Sequence, residues 1–409
     1  MKVLYIHNLY QKTGGEDLWF DSEPNLLKSY GQSRVVYQRD NRELEHYSIW
    51  QKASLFWQAS WSERSFQDVA EIIRLERPDL AHVYNTQALV TPSVYYACQQ
   101  ADVPVVQTLP NYRLLCPAGS LSRNERICEE CVDHSLWRAV RHRCYRDSAI
   151  QSASAAWMIY SHGRRGTWAK AVDAYLVATE FMRRKLSSRL PTDKIFVKPI
   201  WHEPDPGLRQ RSDGFALFIG RLTAEKGVRT LLKAWSVLTG PPLRIVGDGP
   251  LRQEVEAVVE SRTDGLIKAL GFRPHNQVIE ELKRAAFLVL PSEWYEALPH
   301  VILEAYACGV PIIASRIGTL AEVIHDRRTG LLYKPGDQTD LASKVSWLMR
   351  HPEEGAKMGL AGRAEYEAKY TGHRNYQLLM EIYAKVLADR RHAKPVQTAS
   401  KGGRELEQQ

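Results

Sequence analysis

The stretch Phe287-Leu-Val-Leu-Pro-Ser-Glu-Trp-Tyr-Glu-Ala-Leu-Pro-His-Val-Ile-Leu-Glu-Ala-Tyr-Ala-Cys-Gly309 decides the fold of this chain. Its opening, Phe287 to Leu290, is an apolar run of strand length that stops at Pro291-Ser292. Pro299 suits the first turn of a helix and Gly309 suits its end. The segment therefore reads as a strand, a loop carrying Glu296 and a short helix carrying Glu304. A helix start points unpaired N–H groups at whatever lies above the sheet edge, which favours phosphate. One carboxylate at the helix mouth and one on its body suit two parts of a single anionic ligand, for instance a sugar and a ribose. Taken alone, the Glu-x7-Glu spacing describes equally well two surface acids on an amphipathic helix.

Upstream, Phe215-Ala-Leu-Phe-Ile-Gly-Arg-Leu-Thr-Ala-Glu-Lys-Gly227 is again an apolar strand entering a polar loop bounded by Gly. Arg221 and Lys226 are fixed cations at the carboxyl end of that strand, where an open parallel sheet binds its ligands. They suit a diphosphate, Arg by bidentate grip and Lys as a point charge. Leu243-Arg-Ile-Val-Gly-Asp-Gly-Pro250 and Ile267-Lys-Ala-Leu-Gly-Phe272 give two more strand-then-Gly signals, and Val310-Pro-Ile-Ile-Ala-Ser315 another buried strand. Thr319 and Glu322 have the Thr-x-x-Glu spacing of a capping box and predict a further helix start at the same edge.

In this order, Gly-Arg-Leu-x-x-Glu-Lys-Gly at 220–227, Gly-Asp-Gly-Pro at 247–250, Leu-Gly-Phe at 270–272, Pro-Ser-Glu at 291–293, the Glu-x7-Glu pair, Ala-Cys-Gly-x-Pro at 307–311 and Arg-x-Gly-x-x-x-Glu at 316–322 form a set. That set resembles the family-4 retaining glycosyltransferases, in their capsule, polysaccharide and glycolipid branch. The resemblance runs from Met1 to about Tyr383. It implies the two-domain GT-B fold, α/β with two Rossmann-like domains facing each other across a cleft. It also implies a nucleoside-diphosphate-sugar donor and no metal cofactor for catalysis. Arg221 and Lys226 would hold the donor diphosphate, Glu304 the ribose hydroxyls, and Glu296 would lie by the transferred sugar. Leu298, Pro299 and His300 would offer backbone groups to that sugar, and Gly15 would let the backbone approach the ligand.

Composition agrees. A chain of 409 residues exceeds what one core usually supports, so two domains are expected. Apolar residues at 44% and charged residues at 25% are ordinary for a soluble globular protein. The chain starts directly on a strand with no apolar signal core before it, and no window is long and apolar enough to span a bilayer. A cytoplasmic protein is expected, at most peripheral on the inner face of the cell membrane.

The expected acceptor-side domain covers residues 1–199, with strands at Val3–His7, Ser33–Tyr37, Leu80–Val83, Val105–Thr108, Ala174–Val177 and Ile195–Lys198. A Cys-rich insertion occupies about 111–146 and a Pro- and Gly-rich linker 200–214. The donor domain would follow over 215–371, then a helix over 372–388 that crosses back to the first domain. Residues 389–409, basic and without apolar periodicity, are expected to be disordered.

The first domain is less legible. Lys12-Thr-Gly-Gly-Glu16 follows the first strand, and Gly14 and Gly15 there permit close backbone approach. Relatives often read His-Asn-Tyr-Arg-Leu-Leu-Cys where this chain has Pro110-Asn111-Tyr-Arg-Leu-Leu-Cys116, and a second histidine where this chain has Tyr84. The family histidine lies near the donor sugar and the acceptor, whereas proline offers neither a side-chain donor nor an acceptor. His7, His82, Asn85 and Asn111 are the remaining acceptor-side candidates.

Cys116, Cys128, Cys131 and Cys144, spaced Cys-x11-Cys-x2-Cys-x12-Cys, have the composition of a structural zinc site, and equally of four reduced thiols in a loop. The same region is basic, Trp137-Arg-Ala-Val-Arg-His-Arg-Cys-Tyr-Arg146, in a chain of formal net charge +8. Such a face would attract an anionic membrane surface or a polyprenyl-diphosphate acceptor, or is simply solvated. No recognition motif supports nucleic acid.

Two functions fit these residues. The first is a retaining, metal-independent glycosyltransferase acting on a glycan or polyprenyl- or other lipid-linked acceptor. The second is a sugar-nucleotide-binding protein whose acceptor chemistry is impaired at Pro110. A GT-B epimerase or phosphorylase agrees less well with the motif set.

Overall fold

The computed structural model describes residues 1–11, 15–48 and 56–393. Two parallel sheets of six strands form the frame. The first contains β1 (Lys2–Leu9), β2 (Ser33–Asp40), β3 (Leu80–Val83) and β4 (Val105–Thr108), followed, after a small antiparallel hairpin of β5 (Ser122–Arg123) and β6 (Arg126–Ile127), by β7 (Ala174–Val177) and β8 (Ile195–Val197). Its order is β2-β1-β3-β4-β7-β8. The second contains β9 (Ala216–Ile219), β10 (Leu243–Val246), β11 (Ile267–Gly271), β12 (Phe287–Leu290), β13 (Ile312–Ser315) and β14 (Gly330–Tyr333), in the order β11-β10-β9-β12-β13-β14. This is the bilobed GT-B arrangement.

The short central strands are buried at every residue, as in Leu80–Val83, Ala174–Val177, Phe287–Leu290 and Ile312–Ser315. Helices cover both faces of a parallel sheet, so such strands are apolar on both faces rather than alternating, with His82 and Ser315 the polar residues in these four. In the second sheet the order reverses between β9 and β12, and an open sheet offers its ligand crevice beyond the carboxyl ends at such a reversal. The loops after these two strands carry Arg221, Lys226 and Glu296.

The helix Gly372–Ala393 returns to the first sheet. Leu379, Ile382, Tyr383 and Val386 pack with Val3, Tyr5, Val106 and Leu176, and Arg390 pairs with Asp173 at 2.9 Å. The helix passes the expected boundary at 388, so residues 389–393 are helical rather than part of a disordered tail. Packing against Asp173 and Asp102 gives Arg390 partners that its polar sequence context did not reveal. The rest of the expected tail, 394–409, lies outside the described residues, as do Lys12 to Gly14; Gly15 begins the helix Gly15–Ser29.

The capping box expected at Thr319 and Glu322 does not form. Ile317 occupies the cap position of the helix Gly318–Val323, and no side chain caps it. Glu322 instead crosses to the first domain, where its carboxylate accepts the backbone N–H groups of Glu180 and Phe181 at 2.7 and 2.5 Å. Thr319 meets Thr179 at 3.2 Å. Those N–H groups open the helix Glu180–Leu186, so a carboxylate from the other lobe satisfies a helix start that its own helix does not need.

Candidate functional site

A cavity of about 830 Å³ lies between the lobes. From the second domain Arg221, Lys226, Trp294, Tyr295, Glu296, Leu298 and His300 line it, and from the first Glu23, Tyr84, Thr108, Pro110, Asn111, Arg113 and Lys198.

Lys226 and Glu296 are 70 positions apart in sequence, and their side chains meet at 2.6 Å. Two local features bring them together. Gly227 has φ +71°, and a Cβ there would stand 1.8 Å from the carbonyl oxygen of Pro291, so the two loops touch backbone to backbone only because this residue is glycine. Strand β12 also pairs directly with β9, which aligns their carboxyl ends. Glu296 is buried, and Ser292 Oγ donates to the same carboxylate oxygen at 2.8 Å. Burial pushes its carboxyl up, but the Lys226 ammonium and the hydrogen bonds from Lys226 and Ser292 outweigh this and hold it below the ordinary carboxylate range. Glu296 is thus an anion fixed in the cleft wall. An ammonium has three donors, so Lys226 keeps donors for a second anion while it holds Glu296. Arg221 is mostly exposed, 3.6 Å from Glu225, and lines the cavity.

Glu304 lies on the helix His300–Ala307, whose cap position is Pro299. Its carboxylate takes a hydrogen bond from His275 Nε2 at 2.9 Å, and this contact raises the His275 pKa. His202 completes the group: among the described residues, His202, His275 and Glu304 are the ones whose ligand-type atoms lie within 4.8 Å of one another. These two histidines carried no sequence signal, because one belongs to the linker and the other opens the helix His275–Arg284. Burial lowers the pKa of His202 and of His300.

On the acceptor side Pro110 and Asn111 line the cavity, and Asn111 Oδ1 accepts the Arg113 N–H at 3.0 Å. His7, His82 and Asn85 do not line it. His7 is buried with its ring stacked on Phe20 at 4.4 Å. His82 Nε2 meets Thr108 Oγ1 at 2.8 Å, and its Nδ1 lies 2.6 Å from the Tyr383 hydroxyl. Asn85 donates to the carbonyl of Asn8 at 2.7 Å. Both are structural contacts of the sheet edge. Tyr84 instead reaches the cavity, stacked on His82 at 4.7 Å.

Sequence reasoning missed Glu23 and Lys198 in the wall. They are buried and paired at 2.7 Å, and Lys198 also donates to Asn375. Helix periodicity carries no mark for such a pair. Tyr112 and Tyr295 join the lobes beside Glu296: the Tyr112 hydroxyl donates to the Glu296 carbonyl at 3.4 Å and that of Tyr295 to Glu129 at 2.9 Å.

The thiols of Cys116, Cys128, Cys131 and Cys144 form no disulfide, and no three of them lie within 4.8 Å of one another. Cys116 is hydrogen-bonded to the Cys131 thiol and to backbone N–H groups, which lowers its pKa against the effect of burial.

Residues 200–365 match the family model of the glycosyl transferases group 1. The uncharacterized glycosyltransferase MJ1178 of Methanocaldococcus jannaschii is 30% identical over 41% of this chain and 47% of its own length. The sulfoquinovosyl transferase SQD2 of Arabidopsis thaliana is 24% identical over 73% of this chain and 55% of its own. The chain thus spans about half the length of these curated relatives. Among solved structures, Anabaena HepE in complex with UDP superposes with a TM-score of 0.65 at 15% identity, over 94% of this chain and all of the other, a likeness of fold. The match to the glycosyl transferases group 1 model thus covers residues 200–365, on a chain that has the GT-B fold throughout its two lobes.

Proposed function

We propose that the protein is a retaining glycosyltransferase that moves a sugar from a nucleoside-diphosphate sugar to a hydroxyl of a glycan or lipid-linked acceptor. The observation that carries this reading is the Lys226–Glu296 pair at the strand-order reversal, facing a cavity shared by both lobes. The bond between the sugar's C1 and the β-phosphate oxygen breaks, with its electrons leaving on the diphosphate. The acceptor oxygen forms the new bond to C1 on the same face, and its proton passes to the departing phosphate oxygen. Lys226 and Arg221 offset the charge that develops there, while Glu296 positions the sugar. Relatives support the donor class: Anabaena HepE has been crystallised with UDP-glucose. A thermal-shift screen of nucleoside-diphosphate sugars, followed by transfer from whichever stabilises the protein, tests the reading. No stabilising donor in the screen overturns it.

Glu304 and Glu296 have separate roles in this proposal. Glu304→Ala should weaken binding of the free nucleoside diphosphate by about tenfold, the value of one charge-assisted hydrogen bond. Glu296→Ala should leave that affinity near the parent's and lower turnover. Calorimetry with the free nucleotide separates them, and equal losses in both variants contradict the division.

Pro110 in the cavity wall favours the alternative, a donor-binding protein with weakened acceptor chemistry. Pro110→His should raise transfer without changing donor affinity, since imidazole exchanges protons near neutral pH and proline has no such group. Because proline also restrains the loop, transfer and melting temperature are measured together. A variant as stable as the parent with no gain in transfer acquits Pro110.

We also read the Cys116, Cys128, Cys131 and Cys144 segment as a structural zinc site. It is supported by the four cysteines falling within one segment of the first domain, with Cys116 beside Cys131. Elemental analysis should find one zinc per chain, and chelation should lower the melting temperature with little change in donor affinity. Protein purified without zinc and indifferent to chelator refutes it. Unpaired cysteines suit a reducing compartment, so we place the enzyme in the cytoplasm. Among the described residues no helix is long and apolar enough to cross a membrane.

A further inference from the structure

The helix Ala149–Arg165 buries Ala155, Ala156, Met158 and Ile159 in the first domain. Ile150, Trp157, Tyr160 and Arg164 follow one another at steps of seven, three and four residues, which places them on one face of the helix. Ile150 is 72% exposed and Tyr160 46%. The turn that ends at Ser60 runs alongside, since Ser154 Oγ donates to the Phe56 carbonyl and Ser60 meets Ser161 at 3.0 Å. It adds Trp57, 66% exposed, whose ring lies 6.2 Å from that of Trp157, which in turn lies 6.2 Å from Tyr160. The result is a continuous aromatic strip open to solvent, a feature that marks an interaction surface rather than scattered apolar exposure.

Its surroundings are basic. From Arg138 to Lys170 the chain has seven Arg and Lys residues and one acid, Asp147. Arg164 and Arg165 close the helix. At the other end Arg146 lies 5.4 Å from the Tyr145 ring, and Arg113, a cavity residue, lies 5.3 Å from the same ring. The basic border therefore leads from the strip to the cleft.

We propose that this face docks on an anionic lipid bilayer. Trp57, Trp157 and Tyr160 settle at the level of the headgroups, where amphipathic rings are favoured, and Arg146, Arg164 and Arg165 lie against lipid phosphates. Tryptophan and tyrosine bordered by arginines, with one acid among them, match that surface in chemistry and in charge. In the transferase reading, an acceptor whose lipid tail stays in the bilayer would reach the cleft past Arg146 and Arg113. Docking itself requires no donor, so it is tested independently of that reading.

The test is co-sedimentation of the full chain with vesicles of phosphatidylcholine alone and of phosphatidylcholine with phosphatidylglycerol. Binding to the anionic vesicles should be about tenfold tighter or more, and should weaken as salt is raised. Trp57→Ser with Tyr160→Ser, and separately Arg164→Glu with Arg165→Glu, should each lower binding about tenfold. Melting temperature and UDP binding should stay at the parent's values. If the aromatic variant misfolds, the charge variant, altered at exposed positions, decides alone. The proposal is overturned if the parent ignores anionic vesicles, or if folded variants bind them undiminished. It is also overturned if the parent self-associates in solution and the variants are monomeric, because the strip would then join two copies of the chain.

Discussion

Lys226→Ala should lower the rate of sugar transfer by about 10²–10³-fold, the loss seen when one preorganised donor is withdrawn from developing negative charge. The expectation is larger than for Arg221→Ala because of what each cation touches. Arg221 is 67% exposed along its side chain and, among the described residues, its ion pair is a 3.6 Å contact with Glu225, so water and neighbours replace part of its effect. Lys226 is mostly buried and bonded at 2.6 Å to Glu296. Its removal withdraws charge from the diphosphate and also leaves the Glu296 carboxylate without the cation that keeps it ionised. Burial, already the largest influence on that carboxyl, then raises its pKa. The variant should therefore lose turnover, lose affinity for the free nucleoside diphosphate, and show a rate that rises with pH where the parent's is flat. Lys226→Arg should restore part of the affinity but less of the turnover, since a planar guanidinium does not present donors as an ammonium does. Steady-state kinetics over pH, with calorimetry of the nucleotide, make the comparison. Parent-like turnover in Lys226→Ala would remove the assignment.

The second large effect is on stability. Glu23→Ala should destabilise the fold by about 3–5 kcal/mol, the usual cost of stranding one member of a buried ion pair. Glu23 and Lys198 have side-chain exposures of 3% and 5% and meet at 2.7 Å, and His82 Nδ1 lies 3.1 Å from Glu23 on its other side. Asn375 binds both Lys198 and the carbonyl of Pro199, so the pair also ties the returning helix Gly372–Ala393 to the first lobe. Burial alone would raise the Glu23 carboxyl, but Lys198 and His82 together hold it far below the ordinary range. A carboxyl with a depressed folded-state pKa contributes stability that is fully present above its unfolded value, about 4.3 for glutamate. That contribution is lost as the pH falls from there towards the folded-state value. Denaturant melts should therefore show the parent losing stability below that pH, and Glu23→Ala losing less. The double change Glu23→Leu with Lys198→Met should recover much of the loss, because neither charge is then buried alone. If Glu23→Ala melts like the parent, the pair does not support the fold.

Much of the architecture was open to reading along the chain. Strands such as Ala174–Val177 and Phe287–Leu290 are short apolar runs ended by polar residues or a Pro-Ser break, and Leu80–Val83 departs from this only at His82; these signals are local. Strands β5 and β6, two residues each, are too short to carry a period. Arg221, Lys226, Glu296 and Glu304 stood out because each follows a strand or rides the helix after one. What the residues did not reveal was their partners. Lys226 meets Glu296 because β9 lies beside β12, and that neighbour relation belongs to the sheet order and not to either segment. Glu322 has the spacing of a cap for its own helix, yet it closes the helix of the opposite lobe, whose free N–H groups come within 2.7 Å only when the lobes face each other. His82 looks like a cleft histidine in the sequence, but Thr108 and Tyr383, 26 and 301 positions away, enclose it. His202, His275 and Glu304 come from a linker and two separate helices, and Glu23 and Lys198 from opposite ends of the first domain. Periodicity, turns and breaks depend on neighbours in the chain, so the sequence by itself determined the strands, the two lobes and the loops that bear the site. Which charges pair, which histidines are walled in and which helix start is capped depend on distances between segments far apart in sequence, and only the tertiary structure decided those.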